Sequence, residues 1–274
     1  VSEPYKGRAK KRFGQHFLKD RAILSRIVDT AGVSSDDTVL EVGPGPGYLT
    51  EELLRKGAAV VAVEFDRDIC AYLKDRFAGE TNFELIESDA MRVDFTALFK
   101  GMDKGVRLVS NPPYNITGPL VAKIIRERVV FKRVVLMLQK EVATRLTAQP
   151  GERATGALTI MLALYYDVRR AFSVSAGSFT PPPDVDSAVV VFDPLPAARV
   201  PVSDEAFFRE VVKKAFSARR KTLSNALKGF FESKDLAAAF MEAAIDPKRR
   251  AETLSLKEFS ALVSVLLSRK SLLT

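Results

Sequence analysis

The chain holds one cysteine, Cys70, and one histidine, His16, in 274 residues. A lone thiol forms no internal disulfide, and this pair cannot furnish a thiolate zinc site or a Ser-His-Asp arrangement. His16 has no sequence neighbour to orient it as a general base, so its plain reading is a contact-making or solvated side chain. No metal is expected, because nothing signals a site made only of carboxylates. Long apolar runs are missing as well. The longest near an end, Phe259 to Leu267, is too short for a membrane span, and the first residues are charged where a secretory signal needs an apolar core. The expectation is a cytoplasmic protein with no membrane association.

What remains is an ordinary globular composition, 47% hydrophobic and 28% charged. The length suits one large domain, or a large one with a smaller companion. The net charge of +8 is placed unevenly. Residues 1–20 carry six Lys/Arg against two acids and residues 200–274 fourteen against nine, while the middle is nearly balanced. "KGRAKKR" (6–12), "ARRK" (218–221) and "KRR" (248–250) are the densest clusters. Such clusters are commonly solvated faces, yet two basic ends around a neutral middle fit a polyanion-binding protein.

Short apolar runs alternate with helical patterns. "TVLEVG" (38–43), "AVVAVEF" (59–65), "FELIES" (83–88), "VRLVSN" (106–111), "RVVLML" (133–138) and "SAVVVF" (187–192) read as buried strands. The alternation predicts a parallel sheet covered on both faces. "DPLPAARVP" (193–201) then breaks the pattern with three prolines and suggests a linker. Beyond it Phe208, Val211, Val212 and Ala215 share a helical face, and Ser255 with Glu258 forms a capping box. The predicted organisation is a basic N-terminal segment (1–20), an α/β domain (21–195) and a small all-helical domain (196–274).

"LEVGPGPGYLT" follows the first of these strands, where an α/β sheet binds its ligand. Gly43, Gly45 and Gly47 are spaced G-x-G-x-G, and Tyr48 stands where a dinucleotide fingerprint needs glycine. Pro44 and Pro46 also remove two N–H donors that a pyrophosphate cradle would use, so an oxidoreductase is disfavoured and a less anionic ligand fits better. Glu64 ends the second strand at the distance where an acid meets ribose hydroxyls. Asp89, past the third strand, could accept from the amine of an adenine. Each acid alone could be a loop or cap residue. Together with the glycine loop they describe a pocket for an adenosine with a non-phosphate tail, of which S-adenosylmethionine is the obvious candidate.

"NPPYN" (111–115) sits at the end of the fourth strand. Two prolines stiffen the backbone, and the Asn111 side-chain oxygen with the Pro112 carbonyl can converge as two acceptors. Their natural guest is a planar NH₂ group. Holding both protons favours a pyramidal nitrogen whose lone pair is released from the ring, which lets a weak nucleophile attack a sulfonium methyl. Tyr114 offers a stacking face, worth about 1–3 kcal/mol per base in nucleic-acid complexes. Asn111, Pro112 and Tyr114 are therefore the candidate catalytic group, although Asn and Pro are also common turn residues.

The chain resembles the ribosomal RNA small-subunit adenine N6-dimethyltransferases of the bacterial KsgA type. The similarity rests on "KRFGQHFLKD" (11–20), "EVGPGPG" (41–47), "ESDA" (87–90), "NPPYN", "MLQKEVATRL" (137–146), "FTPPPDVDSAV" (179–189), "FSARRKTLSNAL" (216–227) and "RAETLSLKEF" (250–259). The resemblance implies a class I S-adenosylmethionine-dependent methyltransferase domain, Rossmann-like with a seven-stranded mostly parallel sheet, and a helical C-terminal domain. It implies methyl transfer to two adjacent adenosines near the 3′ end of small-subunit rRNA, each methylated twice. By position, His16 and Leu18 should touch the donor with Gly43, Gly45, Glu64, Asp89 and Asn111. Phe179 should face the target adenine opposite Tyr114, with a buried loop anchor as the alternative. Lys10, Lys11, Arg12, Arg219, Arg220 and Lys221 should grip RNA. One departure is Pro112, where this family more often has leucine; a backbone carbonyl survives that exchange.

The expected partner is small-subunit rRNA, within an assembling 30S particle, and the expected state is a monomer. Adenine methylation of large-subunit rRNA or of DNA, and a mainly non-catalytic assembly role, are the competing readings.

Overall fold

The computed structural model describes residues 16–102, 105–218 and 220–271. The chain divides into two compact units. One contains the residues through Ala143 together with Val168–Pro194, and the other contains Thr144–Asp167 together with the chain from Leu195 onward.

Among the described residues the strands are β1 (Phe17–Leu18), β2 (Thr38–Val42), β3 (Ala59–Glu64), β4 (Phe83–Glu87), β5 (Val106–Ser110), β6 (Phe131–Gln139), β7 (Tyr166–Val174), β8 (Phe179–Thr180) and β9 (Ser187–Pro194). Seven form one sheet in the order β4-β3-β2-β5-β6-β9-β7. β4, β3, β2, β5 and β6 run parallel, and β9 pairs antiparallel with β6. The chain winds outward from β2 to β4, then returns to lay β5 on the other side of β2. That reversal opens a crevice at the carboxyl ends of these strands.

The central strands are mostly apolar because both faces are covered. On one face, alternate residues Val39, Val60, Val109, Val135, Val189 and Val191 pack with Leu24, Ile27, Val28 and Ala31 of the helix Arg21–Ala31. That helix begins where the Asp20 carboxylate accepts the Ala22 and Ile23 N–H groups at 2.9 and 3.2 Å, and it stops at Gly32 in the left-handed region. At the opposite end of the sheet from the crevice, Asp37 ties three strand starts together. It accepts from Arg107 of β5 at 3.0 Å and from Lys132 of β6, and also from the Ser34 N–H at 2.8 Å. Burial raises its carboxyl pKa, and these donors outweigh burial, holding it below the usual carboxylate range.

The second unit carries helices Ala157–Tyr165, Glu205–Ala215, Leu223–Leu227, Ser233–Glu242 and Leu256–Ser271. Phe208, Val211, Val212 and Ala215 are its buried stripe, as the helical spacing predicts. Ser255 and Glu258 form the expected reciprocal cap: Glu258 accepts the Ser255 N–H at 2.7 Å, and the Ser255 hydroxyl accepts the Glu258 N–H at 3.3 Å.

Two expectations need revision. All six predicted strands form, but β7 is missing from the sequence reading, since Arg169 and Arg170 interrupt its apolar pattern at an edge position where both stay exposed. The predicted boundary at 195/196 catches only one of two crossings. Residues 144–167, assigned by sequence to the α/β domain, cluster with the helical unit, in which Ile160, Leu162 and Leu164 are buried and the Arg199 N–H donates to the Leu164 carbonyl at 2.9 Å.

Candidate active site

The carboxyl ends of β2, β3, β4 and β5 all open on one cavity of about 380 Å³, a size typical of small-ligand sites. Its lining includes every donor-site residue expected from sequence: His16, Leu18, Gly43, Gly45, Glu64, Asp89 and Asn111, with Pro112 and Tyr114 beside them.

The glycine loop forms the floor, and its glycines adopt positive φ with little space for a side chain. Gly43 adopts φ +67°, and a Cβ there would fall 2.7 Å from Pro113 Cδ. Gly45 adopts φ +54°, and its Cβ would lie 3.1 Å from the Phe17 ring. The helix Tyr48–Arg55 then starts from Gly47 with no side-chain cap, and Tyr48 and Leu49 line the cavity. Its first N–H groups are suited to an anionic group. Arg76 braces the loop by donating to the Pro46 carbonyl and pairing with Glu51 at 2.7 Å.

Glu64 closes β3. Its Oε1 accepts the Phe65 and Asp66 N–H groups, both at 2.9 Å, and Oε2 has a long contact of 3.4 Å from the Gly45 N–H. Burial pushes its carboxyl pKa up against these bonds. Oε2 keeps acceptor capacity for a hydroxyl pair. Asp89 uses Oδ1 on the Met91 N–H at 2.9 Å, which orients the carboxylate at the sheet edge. Cys70 lies under Glu64, its Sγ 3.5 Å from the Glu64 carbonyl. Burial pushes the thiol to about 12, so it is no nucleophile.

Asn111 extends from β5, whose last residue Ser110 donates to the Val42 carbonyl at 2.5 Å and locks the two strand tips together. The Asn111 amide nitrogen donates to the His16 carbonyl at 3.4 Å, leaving Oδ1 as the end offered to a guest. Pro112 and Pro113 lead into a short 3-10 turn, Tyr114–Ile116. The Tyr114 ring stacks on His16, centroids 5.5 Å apart at 25°, and its hydroxyl lies 2.7 Å from Ser187 Oγ.

The N-terminal wall is held by pairing between β1 and β8, with Leu18 opposite Phe179 and Phe17 opposite Thr180. His16 Nδ1 donates to the Pro181 carbonyl at 2.9 Å. Leu18 lines the cavity, but its strand partner Phe179 departs from the expectation. It is 3% exposed, packs in the core with Leu24 and Val174, and does not line the cavity. The buried loop anchor is the reading that fits, and His16 stands against Tyr114 instead.

Lys10, Lys11, Arg12 and Arg219 lie outside the described residues. Arg220 and Lys221 are exposed in the turn before the helix Leu223–Leu227. Arg249 of the third basic cluster is committed to Glu258 and Thr253. Among the described residues no group of three or more His, Cys, Asp or Glu is arranged to hold a metal, and no helix is long and apolar enough to cross a membrane.

Two cavity residues escaped the sequence reading. Phe65 follows Glu64, lines the cavity and is 61% exposed. Glu41 is fully enclosed in β2, where it accepts from the Thr50 hydroxyl at 2.6 Å. An acid inside an otherwise apolar strand was the available signal.

Comparison with known proteins follows the same outline. The family model for ribosomal RNA adenine dimethylase matches residues 6–267. The chain is 43% identical over 263 residues to a ribosomal RNA small subunit methyltransferase A of Clostridium acetobutylicum, covering 96% of this chain and 95% of that protein. It is 45% identical over 260 residues to the protein of that name in Syntrophotalea carbinolica, covering 94% and 97%. Among solved structures, a dimethyladenosine transferase from Plasmodium falciparum superposes with TM-score 0.78 at 29% identity, over 93% of this chain and 98% of that one. The 23S rRNA methyltransferase ErmE shares the fold with TM-score 0.67 at 23% identity, over 91% and 99%. With a seven-stranded sheet of the class I S-adenosylmethionine-dependent methyltransferase type and a family match across nearly its whole length, the chain belongs to the ribosomal RNA adenine dimethylase family.

Proposed function

We propose that the protein transfers methyl groups from S-adenosylmethionine to N6 of two adjacent adenosines near the 3′ end of small-subunit (16S) rRNA, giving N6,N6-dimethyladenosine. The observation that carries this reading is that Asn111, Pro112 and Tyr114 border the same cavity as Gly43, Glu64 and Asp89.

The donor set suits S-adenosylmethionine, which when bound supplies an electrophilic methyl on a sulfonium. Glu64 would accept from the ribose hydroxyls and Asp89 from the exocyclic amine of the adenine, with Phe65 lining the same cavity. The uncapped helix start at Tyr48 faces the tail carboxylate. On the substrate side, Asn111 Oδ1 and the Pro112 carbonyl each accept one N6 proton of the target adenine, and Tyr114 supports its ring. Both acceptors are set in advance by stiff backbone, so little reorganisation accompanies the reaction. The amine needs no strong base, which fits a site whose only imidazole is already held by Pro181 and Tyr114.

Arg220 and Lys221, with Lys10, Lys11, Arg12 and Arg219, hold phosphates of the RNA, and the enzyme works as a cytoplasmic monomer on an assembling 30S particle. The test is nucleoside mass spectrometry after separate incubation of small subunits, large subunits and duplex DNA with the protein and S-adenosylmethionine. Dimethyladenosine at two neighbouring positions of small-subunit rRNA alone is expected. Modification confined to large-subunit rRNA or DNA overturns the proposal.

A further inference from the structure

Tyr114 is held at its far end by a residue that no motif at the cavity announces. Ser187 opens β9, pairs in register with Gln139 of β6, and is completely buried. The strand "SAVVVF" that it begins is otherwise apolar. A hydroxyl in such a place is unfavourable unless it finds a partner. Its partner is the Tyr114 hydroxyl at 2.7 Å, 73 residues away in sequence. The tyrosine side chain has two rotatable bonds, and its backbone is already set by Pro112 and Pro113. Fixing the hydroxyl therefore fixes the swing about the first of these bonds, and rotation about the second, whose axis runs through the hydroxyl oxygen, is restrained by His16, which lies against one face at a tilt of 25°.

We infer that Ser187 is a positioning residue for methyl transfer: by anchoring the Tyr114 phenol it sets the place of the ring on which the target adenine is supported. The inference rests on the proposed role of Tyr114 as that support. Burial pushes the Tyr114 phenol pKa up, so the anchored hydroxyl stays neutral at working pH. Ser187 itself does not line the cavity, so its influence on the reaction passes through the tyrosine. A ring free to swing would let the N6 amine drift from Asn111 Oδ1, and near-attack geometry is sensitive to displacements of this size.

The experiment compares S187A, Y114F, the double variant S187A/Y114F and Y114A in the full chain. It measures kcat and KM on small-subunit particles, with S-adenosylmethionine affinity from direct titration. S187A and Y114F are each expected to lose about 10-fold in kcat with donor affinity unchanged. The double variant should be no worse than either single one, because all three remove the same bond. Y114A should lose more than any of them. If Y114A behaves as wild type on RNA, the platform role fails and the inference falls with it. If Y114A is impaired while S187A keeps full kcat, or if the two single losses multiply, Tyr114 keeps its role and Ser187 loses its own.

Discussion

Pro113 occupies the space that a side chain on Gly43 would need. A Cβ built on that glycine stands 2.7 Å from Pro113 Cδ, so the loop that floors the donor side touches the loop that presents Asn111. The contact predicts that G43A disturbs both. The left-handed φ of +67° adds roughly 1–2 kcal/mol of strain for an L side chain before any clash. We expect a melting temperature lower by about 2–8 °C. Donor affinity, read by titration calorimetry, should weaken by about 10-fold or more.

Asn111→Ala separates binding from chemistry. Its side chain leaves through an amide that contacts only the His16 carbonyl, at a long 3.4 Å, so the fold loses little. Single-turnover methyl transfer should fall by about 10²- to 10³-fold, as when one polarising hydrogen bond is removed from an active site. S-adenosylmethionine affinity should change far less. Near-normal turnover would remove Asn111 from the chemistry.

Glu41 gives a pH signature. Burial pushes its carboxyl to about 8, opposed by the Thr50 hydroxyl and reinforced by the nearby charge of Glu64. Below the ordinary value of 4.5 the carboxyl is protonated in folded and unfolded chains alike, and its titration is neutral to stability. Between 4.5 and about 8 the unfolded chain ionises while the folded one keeps its proton, so stability falls as pH rises, by about 1.4 kcal/mol per unit, and levels off above 8. Chemical denaturation of E41Q against wild type should show a shallower decline across that window. Glu64 is raised by burial too and will keep part of the slope in both proteins.

The exposed pair Arg220 and Lys221 can be tested by salt. If both neutralise phosphates, replacing them with alanine should flatten the slope of log affinity against log salt by about 1.4–1.8. Binding to small-subunit RNA measured from 50 to 200 mM salt checks this. An unaltered slope takes the two residues out of the RNA contact.

The central strands were legible because burial on two faces writes itself as an unbroken apolar run, as in "AVVAVE". The acids and Asn111 were legible because each follows such a run directly, and strand ends in an α/β sheet converge in space. What escaped depends on distant pairings. The burial of Phe179 depends on its packing with Leu24 and Val174, and nothing local to "FTPPP" records it. β7 was hidden by Arg169 and Arg170, charges that stay exposed on an edge strand. The assignment of residues 144–167 to the helical unit reflects packing around Ile160 and Leu164 that periodicity alone cannot direct to one neighbour or another.

The clasp between β1 and β8 has a consequence for the order in which the pocket is finished. His16 and Pro181 are 165 positions apart, so a nascent chain has already made its glycine loop, both acids and Asn111 long before the partner of its first strand emerges. Until then the wall bearing His16 and Leu18 lacks its strand partner and rests on contacts such as those of His16 with Asn111 and Tyr114. On the proposed donor site, fragments that stop short of Phe179 are expected to bind S-adenosylmethionine poorly in a direct titration, even though they retain Gly43, Glu64, Asp89 and Asn111.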